Sequence, residues 1–123
     1  MAIQRILIVD DSPTERYYLT DILVKNGFSV TTADNGEEAL ARIKADKPEL
    51  ILMDVVMPGA NGFQVTRAIA RDPELADVPI IICSSKSQET DRIWGLRQGA
   101  RDYLVKPVDA GQLLAKIATL GGA

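Results

Sequence analysis

The chain has 123 residues, 46% apolar and 25% charged, a size and composition that suit one soluble globular domain with its own core. Its formal net charge is −3 and it has no basic run, which argues against nucleic acid as a partner. With no histidine and one cysteine, Cys83, it excludes Ser-His-Asp and Cys-His catalysis, the common zinc sites and an internal disulfide.

The first apolar run, Arg5–Val9, ends in Asp10-Asp11. It is far too short for a signal peptide or a membrane span, so a cytoplasmic chain with no membrane partner is expected. Ser12-Pro13-Thr14-Glu15 reads as a helix start: a serine cap, a proline in the first turn, and a glutamate placed to complete a capping box. Tyr18, Leu19, Ile22 and Leu23 give that helix its apolar stripe, and Asn26-Gly27 ends it. Ser29–Ala33, with two threonines, suits an edge strand. A second helix follows Asn35-Gly36, turns Ala39, Leu40 and Ile43 inward, and stops before Pro48. Leu50–Met53 is a third strand, ending in Asp54, and a third helix runs from near Asn61 to before Asp72-Pro73. Residues 79–83 form a fourth strand, ending in Ser84-Ser85. A fourth helix follows from near Ser87 to Gly99, with Trp94 assigned to the core. Asp102–Val105 is a fifth strand, ending in Lys106-Pro107. The fifth helix starts at Asp109, with Leu113, Leu114, Ile117 and Leu120 inward. Cys83, following Ile80 to Ile82, is expected to be buried and inert.

Strands one, three and four are continuously apolar, as strands covered on both faces are. Strict strand–helix alternation with short loops implies an α/β fold with a parallel sheet and helices on both sides. Five repeats are too few for an eightfold barrel, so the expectation is a doubly wound, flavodoxin-like (βα)5 sheet of order 2-1-3-4-5. No linker or repeat is visible, so residues 1–123 are expected to form a single domain with no output domain.

Ligands of such sheets bind at the carboxyl ends of the strands. Asp10, Asp11, Asp54, Ser84 and Lys106 all stand there. Three carboxylates together repel one another, and a hard divalent cation such as Mg²⁺ resolves the conflict with oxygen ligands. Asp10 or Asp11 alone could be a helix cap, but Ser12 fills that role. Ser84 alone could be a turn residue and Lys106 alone a solvated charge. Together they are what a transferring phosphoryl group requires: cations and donors around an in-line carboxylate, which is Asp54.

The pieces Ile-Val-Asp-Asp at 8–11, Leu-Met-Asp at 52–54, Met57-Pro58-Gly59, Asn61-Gly62, the Ile-Cys-Ser-Ser run at 82–85, Gly99-Ala100 and the Tyr-Leu-Val-Lys-Pro run at 103–107 span the chain. In this order they resemble the receiver domains of two-component response regulators, the CheY-like family. The resemblance implies a signalling protein rather than an enzyme with a separate substrate. A histidine kinase would phosphorylate Asp54 in a self-catalysed, Mg²⁺- or Mn²⁺-dependent reaction, and the group would later be lost by autodephosphorylation. Asp11 would bind the metal directly, Asp10 through water, and Val56 through its backbone carbonyl. Lys106 would bind the phosphoryl group, next to a cis Lys106-Pro107 bond. Ser84 would be the switch hydroxyl, and Tyr103 the switch aromatic that swings from an outer to an inner position. Val56 and Lys86 would flank the attacking water and make hydrolysis slow. A separate protein target would dock on the face of the fourth helix, fifth strand and fifth helix.

A narrower resemblance, carried by Asp11 to Glu15 and by residues 87–103, is to PilH-type single-domain receivers of the type IV pilus chemosensory system, which control twitching motility. Ser84 and Ser85 depart from the threonine and alanine frequent in the family. A flavodoxin-like FMN carrier would need a neutral hydroxyl-rich loop where Asp10-Asp11 stands. A phosphatase working through an aspartyl phosphate would need a second acid after Asp54, where Val55-Val56 stands.

Overall fold

The computed structural model describes residues 2–121. Five strands and five helices alternate: β1 Arg5–Val9, α1 Pro13–Lys25, β2 Ser29–Ala33, α2 Gly36–Ala45, β3 Leu50–Met53, α3 Gly62–Arg71, β4 Ile80–Ser84, α4 Glu89–Gln98, β5 Asp102–Val105 and α5 Ala110–Leu120. All strand pairs are parallel, in the order β2-β1-β3-β4-β5. This is the doubly wound arrangement that the alternation implies.

The period-two geometry of each strand sorts its side chains onto two faces. Ile6, Ile8, Leu50, Leu52, Ile81 and Cys83 meet Leu19, Leu23, Leu113 and Ile117 from α1 and α5. Leu7, Val9, Ile51, Met53 and Ile80 meet Ala39, Ile43, Val65 and Ile69 from α2 and α3. A smaller cluster of Val55, Phe63, Ile82, Ala100 and Tyr103 lies on the side of α4. The continuous apolar runs of β1, β3 and β4 follow from this: every position faces a helix layer.

Local chemistry sets most boundaries where expected. Asn35, Asn61 and Asp109 accept hydrogen bonds from backbone N–H groups in the first turns of α2, α3 and α5. Gly99, with φ of +117°, ends α4 in a left-handed turn. Tyr18 of the expected α1 stripe is exposed and donates its hydroxyl to the Val108 carbonyl at 2.6 Å, and three further details differ. First, β4 runs one residue later than expected, because Pro79 has no N–H and only its carbonyl joins the ladder, accepting from Ile51 at 3.0 Å. Ser84 is therefore the last strand residue rather than the first loop residue. Second, the capping box of α1 is half formed. Ser12 Oγ accepts from the Glu15 N–H, but the Ser12 N–H donates to Asp10 Oδ1 at 2.9 Å, and Glu15 Oε2 is left buried without a partner. Third, Trp94 is 50% exposed and not in the core. The one buried residue of α4 is Gly95, so the helix rests on the sheet by its backbone and turns its large side chains outward.

The start of α3 is pinned under the strand end that carries Asp54. The Gly62 N–H donates to the Val55 carbonyl at 2.9 Å. A Cβ on Gly62 would stand 1.8 Å from the Asp54 carbonyl oxygen, a backbone atom that cannot yield. Gly62→Ala is expected to destabilise the fold by about 3 kcal/mol, as overpacking against a fixed neighbour does. Urea denaturation checks it; a loss below about 1 kcal/mol would show that the turn relaxes freely.

Candidate functional site

Register brings the site together. Val9 is paired with Met53, so Asp10 and Asp54 leave adjacent strands side by side. The Asp54 N–H donates to the Val9 carbonyl at 2.8 Å, and the Asp10 N–H to the Ala33 carbonyl at 3.0 Å. Ser84 is paired with Val105, so Lys106 follows next on the outer strand, and its N–H donates to the Ser84 carbonyl at 2.8 Å. The Lys106-Pro107 bond is cis.

Carboxylate oxygens of Asp10, Asp11 and Asp54 all lie within 4.8 Å of one another. Asp10 and Asp54 are buried, while Asp11 faces solvent. The ammonium of Lys106 crosses the strand ends to reach Asp10 Oδ2 at 2.7 Å and Asp54 Oδ1 at 3.2 Å. Burial, and then the charge of Asp10, push the Asp54 carboxyl above its ordinary value, while Lys106 pulls it back. Burial opposes the charge on Lys106, but the hydrogen bond to Asp10 and the two carboxylates outweigh it, and its pKa is raised.

One ammonium against three carboxylates leaves the cluster short of positive charge. Its donors are all oxygens, which fits a hard divalent cation. Val56, two residues past Asp54, is 60% exposed. Asp10, Asp11 and Asp54 are thus the residues that could hold such an ion.

Ser84 is fully buried, and its hydroxyl accepts from the Lys86 N–H at 3.1 Å. Tyr103 is also buried, and its hydroxyl donates to the Lys86 carbonyl at 2.8 Å. The ring thus packs inward in this structure. Its room comes from Gly95, where a Cβ would lie 2.7 Å from Ile82 Cδ1 and 3.2 Å from Tyr103 Cδ2. Burial of the Tyr103 phenol raises its pKa. Cys83 is buried, and desolvation pushes its thiol up to about 12, so it holds its proton and packs as an apolar residue.

Sequence reasoning missed two supports of the site. Arg16 Nη1 donates to the Asp10 backbone carbonyl at 2.7 Å and so ties α1 to the acidic turn. Nothing in its sequence setting signals that contact. Gly95 could have been found, since a glycine inside a helix costs stability and calls for a packing reason.

The response regulator receiver domain family matches residues 6–118. Protein PilH of Pseudomonas aeruginosa is 56% identical over 119 residues, covering 96% of this chain and 98% of that protein. The response regulator PleD of Caulobacter vibrioides is 40% identical over 116 residues, 94% of this chain and 26% of that longer protein. The structure of the chemotaxis protein CheY4 of Vibrio cholerae matches with a TM-score of 0.89 at 30% identity, covering 97% of this chain and 99% of that one.

The raised pKa of Asp54 has a measurable consequence. A carboxyl that binds its proton more tightly folded than unfolded adds stability below the ordinary value of 3.8, and that stability is lost as pH rises through the folded value. In EDTA, the thermal midpoint of the wild type should carry this loss over the acid range. Asp54→Asn should remove that component and raise the midpoint at neutral pH by a few degrees. A lower midpoint for the variant at neutral pH would show that the Lys106 pair outweighs the repulsion.

Proposed function

Because this chain belongs to the response regulator receiver domain family, we propose that Asp54 accepts a phosphoryl group from the phosphohistidine of a cognate kinase, with Mg²⁺ or Mn²⁺ held by Asp10, Asp11, Asp54 and the Val56 carbonyl. The observation that carries the reading is the Lys106 ammonium shared between Asp10 and Asp54 beside Asp11. An Asp54 carboxylate oxygen forms the new P–O bond as the P–N bond breaks, and the leaving imidazole keeps the electron pair. The divalent cation supplies positive charge where the transferred oxygens gather. Lys106 counters part of the burial cost of an ionised Asp54. It then needs only a short turn of its ammonium to meet a phosphoryl oxygen. Ser84 offers its hydroxyl proton to another of those oxygens as a charge-assisted hydrogen bond. The valine at position 56 cannot orient an attacking water, and the exposed Lys86 can fold over the site, so hydrolysis of the acyl phosphate should be slow.

On its likeness to PilH over 98% of that protein, the chain acts as a receiver in the cytoplasm, on a separate protein target. Among the described residues, no helix is long and apolar enough to cross a membrane. The output face is α4, β5 and α5. Ile93, Leu96 and Val105 are exposed there, and a groove between β5 and α5 runs past Tyr103, Gln112 and Lys116. We assign the pathway to type IV pilus control, on its likeness to PilH over nearly the whole chain.

Acetyl phosphate with Mg²⁺ should add one phosphoryl mass at Asp54, and Asp54→Asn or EDTA should abolish it; peptide mass mapping decides. Lys106 competes with a cation for the same two carboxylates, so Lys106→Ala should bind Mg²⁺ equally well or up to about tenfold more tightly, yet signal poorly. Markedly weaker Mg²⁺ binding in a titration would contradict that role.

The output can act as an effector or as a drain for the kinase. Phosphotransfer and phosphorylation-dependent partner binding should be measured for wild type and Tyr103→Ala. A drain keeps fast transfer in the variant, whereas an effector loses its phosphorylation-dependent partner. Failure of both would remove Tyr103 from the account and leave the phosphoacceptor chemistry standing.

A further inference from the structure

The phosphoacceptor chemistry makes no use of a groove of about 430 Å³ between the C-terminal halves of α3 and α4. Arg67 and Arg71 on α3 and Trp94 and Arg97 on α4 line it. The two helices close at its base where Gly99 meets Ala70; a Cβ on Gly99 would stand 2.5 Å from that of Ala70. All three arginines are exposed, and among the described residues none is ion-paired with a carboxylate. Helices begin at the sheet edge that carries Asp54, so these helix ends lie on the opposite rim.

Arg71 and Arg97 sit in last turns, where a cation meets the carbonyl end of the helix favourably. That accounts for two guanidinium groups. It leaves Arg67, one turn further in, and it leaves a half-exposed tryptophan, the only one in the chain. Arginine and tryptophan are the side chains that dominate the energetics of protein interfaces, and together they give a groove one charged and one apolar requirement. The chain as a whole is acidic, with net charge −3. A long polyanion such as DNA would meet that overall charge along its length. A short acidic segment seated in the groove is governed by the three arginines within a screening length of about 8 Å.

We propose that the α3–α4 groove, lined by Arg67, Arg71, Arg97 and Trp94, is a second docking site, for an acidic segment of a partner protein with an apolar side chain that covers Trp94. This goes beyond the phosphoacceptor reading and does not depend on it. The site lies at the other end of the sheet from Asp54, so a partner held there leaves the phosphorylation edge open.

Trp94 makes the test direct, since all tryptophan emission comes from the groove. The full chain is titrated at low salt with a short helical peptide rich in glutamate and leucine. A saturable change in Trp94 emission is expected. Affinity should fall about tenfold for each of Arg67→Glu and Arg71→Glu, weaken with added salt, and persist in Asp54→Asn. Arg97→Gln, which removes charge without adding any, should give a smaller loss, with unchanged circular dichroism in every variant. The proposal is overturned by no saturable response, by binding that ignores the charge reversals, or by tighter binding of a single-stranded oligonucleotide than of the peptide.

Discussion

Gathering Asp10, Asp11 and Asp54 within 4.8 Å at one sheet edge is the constraint on which the rest of this structure depends. Two of these carboxylates are buried, where their mutual repulsion is least screened. The polypeptide can hold them only if the backbone beneath is rigid and if a cation is within reach. The first condition is met by the ladder bonds that Asp10 and Asp54 donate to Ala33 and Val9, by Arg16 on the Asp10 carbonyl, and by the close seat of Gly62 under Asp54. The second is met by Lys106. The cost of a strained polar site, several kcal/mol per buried ion, is tolerable because the core is large. Each fully buried aliphatic side chain contributes about 1.5–3 kcal/mol, and β1, β3 and β4 alone supply most of a layer of them.

Charge balance also orders the chemistry. Three carboxylates and one ammonium leave a net deficit of two positive charges. A divalent cation cancels it, which is why the donor set suits such an ion and a monovalent one would fall short. A phosphoryl group on Asp54, as proposed, would exchange one carboxylate charge for the charge of a phosphate and unbalance the cluster again in the same place. Lys106 is the only charged group in the cluster free to reorient, because its stem is long while the aspartates are fixed by short side chains on a rigid ladder. The same ammonium that offsets the burial of Asp54 is therefore the group that would have to move if Asp54 were modified.

The sheet and its edge were legible in the sequence because both rest on strong, periodic signals. Continuous Ile, Leu and Val runs have one stable placement in a chain of this size, and acids directly after β1 and β3 fall on the ligand edge whatever the loops do. The bounds of β1, β2, β3 and β5 were likewise readable, since turn residues flank them closely. What was not legible depends on contacts distant in sequence. Glu15 has the spacing of a capping-box residue, yet Asp10 already takes the Ser12 N–H that it would have accepted. Trp94 has the size of a core residue, yet α4 docks through Gly95 and carries Trp94 out over α3. Tyr103 lies on β5, but its position is set by the missing side chain at Gly95, which no local pattern around Tyr103 reports.

The way α4 is held indicates where a change at Asp54 can go. β1, β3 and β4 are buried along nearly their whole length, so their movement would break the core. By contrast α4 buries only Gly95, and its outward face carries Ile93, Trp94 and Leu96. It rests on Ile82, Tyr103 and Phe63, and the loop before it is tied to Ser84 and Tyr103 through Lys86, whose N–H donates to Ser84 and whose carbonyl accepts from Tyr103. A pull on the Ser84 hydroxyl from the direction of Asp54 takes an acceptor from the Lys86 N–H, and the turn that leads into α4 must adjust. That turn and the helix after it are the elements least held by the core. A weakly seated helix with exposed apolar residues is the cheapest part of the fold to shift, and its displacement changes what a partner meets on that face.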